Sequence, residues 1–439
     1  MISPPSAVPP RAWIVTCAGI AINLCLGILY AWNVWRSGLI GTATNPPGTA
    51  MTGVNEGWIY LTRAEATWAY SICGFVFALF MIAGGRIQDR FGPKIGATGG
   101  GLFLAAGCIL AGLMKSYLGL ILGFGILGGI GMGLAYAATT PAAVKWFGPH
   151  QRGLIVGLVV GGYGGAAIYI SPLARYLIGD YGISGSFIAL GIFFAAVVIV
   201  AGQLLSWPDA NYVPPHAPVA NASGAQVMTR VDWSAPAMLK TVQFYALVFL
   251  FFGSAQSGLL VIGNATDLLK KTSLNDPTAF LALNAWILSS YGGFVNAFGR
   301  VGTGMYSDKV GRINAYAING TLSALCLFVM PWIINTGNVV LLFIVVGIAF
   351  WQYGGGLALL PALTADFFGS KNLGFNYGLV FLGWGFAFAV SQIAGYIEDV
   401  TGSLDYAFFL SGIILISAVV VSLVIRRPMA TGEAGSDAR

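Results

Sequence analysis

The sequence predicts an all-α membrane protein with many spans. Of its 439 residues, 57% are hydrophobic and 8% are charged, and the mean hydropathy is +0.80. A soluble domain carries about 25% charged residues. Apolar runs recur from end to end, and each is long enough to cross a bilayer core of ~30 Å as a helix. The runs are continuous rather than alternating, which favours helices over the strands of a barrel.

Twelve apolar runs follow one another, and we interpret each as a transmembrane helix: 12–35, 67–86, 95–114, 117–141, 153–175, 184–206, 241–269, 280–304, 313–334, 338–362, 375–397 and 405–425. The longest polar interval lies between the sixth and the seventh. We therefore predict a first six-helix half at 1–206, a connecting loop at 207–240, a second six-helix half at 241–425 and a tail at 426–439.

The basic residues predict the orientation, because an even number of spans leaves both termini on one side. Fourteen fall on that side: Arg11, Arg86, Arg90, Lys94, Lys145, Arg152, Arg230, Lys240, Lys309, Arg312, Lys371, Arg426, Arg427 and Arg439. Six fall on the other: Arg36, Arg63, Lys115, Arg175, Lys270 and Lys271. Positive loops stay in the cytoplasm, so both termini, the central loop and the tail are expected there. Arg300 belongs to neither set.

Two loops repeat a charge motif. GGRIQDRFGPK at 84–94 places Asp89 three residues before a glycine that is followed by a basic residue, and GMYSDKVGR at 304–312 does the same with Asp308. The two loops follow the second and the eighth predicted helix. Two halves of the same orientation, related by duplication, form the parallel-repeat plan of many secondary transporters.

The first of these loops closely resembles the cytoplasmic loop signature of the major facilitator superfamily, and this resemblance implies the major facilitator fold. Four further tracts are similar to the oxalate/formate antiporter family, which includes bacterial monocarboxylate transporters: YAATTPAAVKWFGPHQRGLIVGL, QSGLLVIGNATDL, SDKVGR and LTADFFGSKNLGFNYGLVFLGWG. The resemblance covers all twelve predicted helices. It implies a multi-pass transporter in the cytoplasmic (inner) membrane of a prokaryote.

Arg300 is the one charge placed deep in an apolar run. A charge at the bilayer centre costs ~2.5–3.5 kcal/mol on insertion scales, so such residues usually face a cavity and mark a site. Two structural roles are the alternatives: Arg300 could snorkel toward the nearby cytoplasmic end of its helix, or it could bind helix carbonyls. A guanidinium can hold a carboxylate with two hydrogen bonds. The resemblance implies this role, because relatives use an arginine in the eighth helix to bind the substrate carboxylate.

Other residues complete the predicted substrate site. Asn296 lies one turn before Arg300 on the same helix face; it either serves the site or bonds a neighbouring helix. Trp384 stands where, by the resemblance, the oxalate antiporter has a lysine for a second carboxylate, so a monocarboxylate is favoured. The remaining candidates lie on helices that border the cavity of the related fold or could offer donors to it: Tyr30, Tyr136, Trp351, Gln352 and Tyr353.

Acidic residues are absent from the middle of every predicted span. Asp267, near the outer end of the seventh helix, is the candidate for proton coupling, although a capping or gating role is favoured for it. An inward-negative potential opposes anion uptake by ~2.3 kcal/mol per charge per 100 mV, so we expect proton symport, with anion exchange as the alternative. The repeated loops are predicted to form a cytoplasmic gate of charge pairs, or else to act only as topology markers: Asp89, Arg90, Lys94, Asp308, Lys309 and Arg312.

The composition argues against other classes of protein. Both histidines lie in loops, and the five cysteines contain no CxxC pair, so we expect neither an enzyme nor a metal or cofactor site. A transporter-like membrane sensor would need a signalling domain, which the central loop and the tail do not supply. The sequence predicts a monomeric transporter of short-chain monocarboxylates, of the lactate or pyruvate type. Its expected partners are the anion, a proton and the lipid bilayer, with no nucleic acid.

Overall fold

The computed structural model describes residues 8–148, 151–209, 211–212, 214, 232–274, 280–369 and 372–428. Within these ranges the chain is almost entirely helical, and its β pairing consists of two isolated bridges, Ile40 with Leu61 and Ala50 with Ile59. The predicted all-α class is therefore confirmed. Of the predicted central loop and tail, 210, 213, 215–231 and 429–439 lie outside the described residues.

The first half, which we define as the described residues 8–209, contains eight helices: α1 Pro10–Leu26, α2 Trp32–Leu39, α3 Arg63–Phe91, α4 Pro93–Met114, α5 Tyr117–Gly119, α6 Gly129–Val144, α7 Arg152–Gly165 and α8 Ala167–Leu204. A 3₁₀ segment, Gly27–Ala31, joins α1 to α2, and a π-helical segment, Leu120–Gly128, joins α5 to α6. Glycine 182 interrupts α8 with a φ of 70°.

The second half, the described residues 232–428, contains nine helices: α9 Ala235–Met238, α10 Val242–Thr272, α11 Phe280–Leu283, α12 Trp286–Val310, α13 Arg312–Thr336, α14 Val339–Phe368, α15 Leu373–Val380, α16 Leu382–Thr401 and α17 Asp405–Val424. Prolines 331 and 361 lie inside α13 and α14. We call the end of the bundle where α1 begins and α17 finishes the terminal end, and the opposite end the far end.

Ten stretches in the described part of the chain are long and apolar enough to cross a membrane, so the predicted count of twelve is not confirmed. Two features account for the difference. Leu154–Leu204 is one stretch of 51 residues, where the sequence predicted two spans separated near Gly182. Trp286–Val310 is not among the ten, because glycine, serine, asparagine and charged residues lower its hydropathy.

The two halves meet along several helix pairs. α12 packs against α7 and α8, α16 packs against α3, and α10 packs against α2. At the far end, the segment between α2 and α3 folds over the first half, where the Trp58 indole N–H donates to Ser184 Oγ at 2.8 Å. The sequence did not predict this cover. The contacts leave a small space at the centre of the bundle, and Arg300 lies there.

Candidate functional site

Arg300 lies inside the bundle and contacts both halves. Its residue is 3% exposed. Its Nη1 donates to the backbone oxygen of Val160 on α7 at 2.9 Å, and its Nε donates to Asn296 Oδ1 at 3.3 Å. The guanidinium therefore does not snorkel to the end of α12; it binds a carbonyl of the facing helix instead, as the second structural alternative proposed. Asn296 shares its helix face, as predicted, and orients it.

Gly164 makes this approach possible. A Cβ atom at Gly164 would lie 3.0 Å from Arg300 Nε and 3.3 Å from its Cζ and Nη2, closer than carbon and nitrogen atoms normally pack. Val160 lies one turn before Gly164 on α7, so the glycine leaves this part of the helix open to the guanidinium.

Two buried donors of the site have no hydrogen-bond partner among the described residues: Arg300 Nη2 and Asn296 Nδ2. A buried donor without an acceptor costs about 1–3 kcal/mol, and more when it is charged. Such a group calls for an explanation, which can be a functional role or a bound water or ion. Here an incoming anion would supply the missing acceptors.

Arg300 and six aromatic side chains line a small cavity at this site. The cavity holds about 10 Å³, roughly the space for one water molecule. Its lining combines phenol, indole and apolar side chains: Tyr30, Phe77, Tyr136, Tyr163, Arg300, Leu357, Phe381 and Trp384. Three predicted residues, Tyr30, Tyr136 and Trp384, are brought together with Arg300 in this way.

Tyr353 lies directly behind the lining. Its hydroxyl is 2.6 Å from the Tyr30 hydroxyl and accepts a hydrogen bond from Trp384 Nε1 at 2.8 Å. Sequence reasoning missed Phe77, Leu357 and Phe381, since an apolar side chain in an apolar helix carries no local signal of the cavity that it lines.

Trp351 and Gln352 are placed elsewhere. Gln352 bonds two serines of α10, donating to Ser254 Oγ at 2.8 Å and accepting from Ser257 Oγ at 3.2 Å. Trp351 packs against α12, where Cβ atoms at Gly299 and Gly302 would meet its atoms at 2.6 Å and 2.4 Å. The side chains of both residues leave α14 on faces that do not border the cavity. Both residues therefore hold α14 to its neighbours.

A far-end cluster of five charged residues joins the two halves: Arg36 and Arg63 of the first half, and Asp267, Lys271 and Glu398 of the second. Arg36 bonds Asp267 Oδ2 at 2.5 Å and Glu398 Oε2 at 3.3 Å. Glu398 also bonds Arg63 at 3.0 Å and Lys271 at 2.7 Å, with its side chain fully buried. Asp267, for which the sequence favoured a capping or gating role, thus bonds a residue of the other half, and Glu398 was missed.

The residue after Glu398 strengthens the same junction. Asp399 Oδ1 and Oδ2 accept hydrogen bonds from the backbone N–H groups of Arg63 and Ala64, at 2.9 Å and 2.8 Å. These N–H groups begin α3 and have no partner within the helix, so a carboxylate there also interacts with the positive end of the helix dipole. Two adjacent acids of α16 thus bind the first half.

At the terminal end, the described residues form one of the predicted charge pairs, Asp308 with Arg312, and it lies within one half. In the described part of the chain, Asp89 forms no ion pair with Arg90 or Lys94; it accepts from Gln88 Nε2 at 2.9 Å, and Arg90 lies over the Phe91 ring. Lys94 and Lys309 likewise form no ion pair within those ranges. Asp308 and Arg312 are 4.0 Å apart, and Arg312 Nε lies 3.2 Å from Asp366 Oδ2. In this conformation the described ion pairs that join the two halves lie at the far end instead. The ion pairs of Arg312 with Asp308 and Asp366 stay within the second half.

A helical membrane bundle of two halves that enclose a buried cation has the architecture of a secondary transporter. The sequence profile of the Major Facilitator Superfamily matches residues 13–359. The chain therefore belongs to the major facilitator superfamily, a family of membrane transporters, and the resemblance stated from its loop motif is confirmed.

Three proteins similar to this chain are named as transporters or as a homologue of one. The oxalate:formate antiporter of Oxalobacter formigenes is 27% identical over 88% of this chain and 89% of its own length. Monocarboxylate transporter 12 of Xenopus laevis is 25% identical over 85% and 84%. A bacterial homologue of the human lysosomal transporter Spinster, solved in an inward-facing and occupied conformation, matches with a TM-score of 0.67 at 14% identity, over 95% of this chain and 97% of that chain. It has the same fold.

Proposed function

We propose that the protein transports short-chain monocarboxylates of the lactate or pyruvate type by alternating access around Arg300. The observation that carries this proposal is the buried Nη2 of Arg300, which has no partner among the described residues, in a side chain that lines a small aromatic cavity. A carboxylate there would accept from Nη2 in a charge-assisted hydrogen bond. The relatives named as carboxylate transporters support the same class of substrate.

The cavity favours a substrate with one carboxylate. Arg300 is its single basic lining residue among the described side chains, and Phe77, Phe381 and Leu357 form the apolar part of its wall. A second carboxylate would lie against these apolar groups without a counter-ion, and an unpaired buried charge costs several kcal/mol. A short apolar tail fits the same wall. This favours a monocarboxylate over oxalate.

Admission of the substrate requires the halves to part. A cavity of about 10 Å³ does not hold a three-carbon acid. In the proposed cycle the far-end cluster breaks to open one side, and the contacts of the terminal end part to open the other. Rocking of two halves around a fixed central site is the usual motion of this repeat plan.

We favour coupling to a proton, with Asp267 as the group that carries it. Arg36 is shared between Asp267 and Glu398, and Glu398 has two further cationic partners. If Asp267 takes a proton, Arg36 keeps Glu398 as a partner, so the far end can still close. This gives a protonated and a deprotonated closed state. Obligatory anion exchange is the alternative, favoured by the antiporter relative.

The distribution of basic residues supports the orientation with the terminal end in the cytoplasm. We place the protein as a monomer in the cytoplasmic membrane of a prokaryote. Cysteine labelling of intact cells at Thr44, an exposed residue of the far end, tests the orientation. A membrane-impermeant maleimide should label this site from outside; labelling only after the cells are broken would reverse the assignment.

The function is tested with purified protein in liposomes. Labelled L-lactate is added outside empty vesicles, with and without an inward proton gradient, and labelled oxalate is added to vesicles that hold formate. Lactate uptake driven by the gradient supports proton symport and excludes a sensor that moves nothing. Oxalate uptake that requires trapped formate, without lactate uptake, would establish exchange and refute the argument from the single cation.

A further inference from the structure

A chain of three hydrogen-bonding groups crosses the centre of the bundle behind the cavity. Trp384 Nε1 on α16 donates to the Tyr353 hydroxyl on α14 at 2.8 Å, and that hydroxyl is 2.6 Å from the Tyr30 hydroxyl in the first half. All three residues are at most 3% exposed. The last bond joins the halves, so it exists only while they are closed at this level.

The chemistry of the groups gives the chain a direction. An indole N–H can only donate, whereas a phenol hydroxyl donates once and also accepts. Either phenol could donate in the bond between Tyr353 and Tyr30, but the bond from Trp384 polarises the Tyr353 hydroxyl to donate in turn, and the Tyr30 oxygen is its one acceptor among the described contacts. The Tyr30 proton then has no acceptor in the described part of the chain, and Tyr30 lines the cavity with Arg300. Aligned hydrogen bonds of this kind strengthen one another.

We infer that Trp384 is a positioning residue: its indole N–H sets the direction of this chain, so that Tyr30 presents a proton to the substrate. This inference rests on the proposed function and deepens it. Arg300 Nη2 and Asn296 Nδ2 have no partner among the described residues, and in this direction of the chain the Tyr30 hydroxyl adds a third donor. An ionised carboxylate accepts from these donors and pairs with the charge of Arg300, whereas the neutral acid has no charge to pair and gives up an acceptor site to its own proton.

Substituting Trp384→Phe removes the N–H and keeps an aromatic ring to pack against Phe77, Phe381 and Phe388, whose centroids are now 5.0, 5.0 and 4.8 Å away. Without that donor the Tyr353 oxygen can accept from Tyr30 instead, and the site loses one donor. We expect the KM for L-lactate to rise about 10- to 100-fold, the usual effect of one hydrogen bond to a charged group. Vmax should change little, because the closing surfaces are kept.

The matched control is Trp32→Phe. Trp32 is also fully buried and stacked on a phenylalanine, but its N–H donates to the backbone oxygen of Ala66, away from the cavity. This substitution should leave the KM unchanged. If the two tryptophan variants raise the KM equally, the effect is general loosening of the bundle and the inference is wrong.

The double variant separates positioning from packing. Tyr353→Phe removes the oxygen that would capture the Tyr30 proton, so we expect it to leave the KM near its normal value, both alone and in combination with Trp384→Phe. A double variant whose KM stays as high as that of Trp384→Phe alone would overturn the chain. Should Trp384→Phe fail to fold, Tyr30→Phe tests the other end of the chain by removing the presented proton, and an unchanged KM refutes the inference. The proposed function fails separately, if Arg300→Lys transports lactate normally.

Discussion

At the scale of single residues, the site depends on a guanidinium that is only partly satisfied. Arg300 donates from Nη1 to the Val160 backbone oxygen and from Nε to Asn296 Oδ1, and these two bonds fix the plane of the guanidinium. Its Nη2 has no partner among the described residues. Asn296 accepts from the guanidinium without adding a charge, so the field of the cation is not cancelled by its nearest neighbour on α12. An asparagine therefore suits a site that must attract an anion.

Lysine at position 300 would keep the charge and lose this geometry. It has no planar fork with which to bond Val160, Asn296 and a carboxylate together. We expect Arg300→Lys to lower Vmax/KM for L-lactate about 10- to 100-fold with normal expression, which corresponds to one charged hydrogen bond. Uptake in liposomes measures it, and Arg175→Lys, at an exposed position of α8, is the control. Near-normal transport would falsify the carboxylate role.

At the scale of helices, α7 and α12 cross where Gly164 faces Arg300. An added methyl group at Gly164 would lie 3.0 Å from Nε and would push the guanidinium away from Val160. Gly164→Ala should raise the KM about tenfold, which corresponds to about 1.4 kcal/mol. Gly161→Ala, on the same helix with no atom within 4 Å of the added carbon, is the matched control. Alanine favours a helix over glycine, so a loss of transport without a loss of thermal stability would locate the effect at Arg300.

The far-end cluster is the second junction between helices. In Glu398→Gln, three cations would share Asp267 as their one carboxylate within the cluster, and breaking a buried pair costs about 3–5 kcal/mol. Opening lets water reach these charges, so the cost falls on the closed form. Spin labels at Thr44 and Thr401, both exposed far-end residues, should show a longer distance in the variant. An unchanged distance, equal to that of Asp405→Asn at the same end, would show that the cluster does not hold the halves together.

The repeated loops at the terminal end have a related arrangement in each half. Arg312 at the start of α13 bonds Asp366 near the end of α14. In the first half, Asp89 interacts with Lys145 after α6, and burial lowers the pKa of Lys145 while Asp89 acts in the opposite direction. The loop motif therefore supplies the basic partner in the second half and the acidic partner in the first half. These contacts brace helices within one half, which is why the motif recurs although it does not pair across the bundle in this conformation.

At the scale of the whole molecule, local patterns predicted what depends on local sequence. Hydropathy gave the helical membrane class, and a lone charge in an apolar run identified Arg300. The pairing of charges was not predictable in the same way. Glu398 follows directly after an apolar run and resembles a solvated helix end, yet Arg36 lies 362 residues away in sequence. Trp351 and Gln352 were placed in the cavity because of their helix, and the face from which each side chain leaves α14 depends on its packing.

Coupling belongs to this scale, because it links the far-end cluster to transport through the central site. A proton carried on Asp267 is needed for net anion uptake against the membrane potential, but not for exchange of one anion for another, which moves no net proton. We therefore expect Asp267→Asn to abolish lactate accumulation driven by a proton gradient and to keep exchange of labelled for unlabelled lactate near the normal rate. Both are measured in the same liposomes, with Asp405→Asn as the control. Accumulation that survives in Asp267→Asn would show that the proton travels elsewhere, whereas loss of both activities would show that the ion pair with Arg36 is required for closure itself.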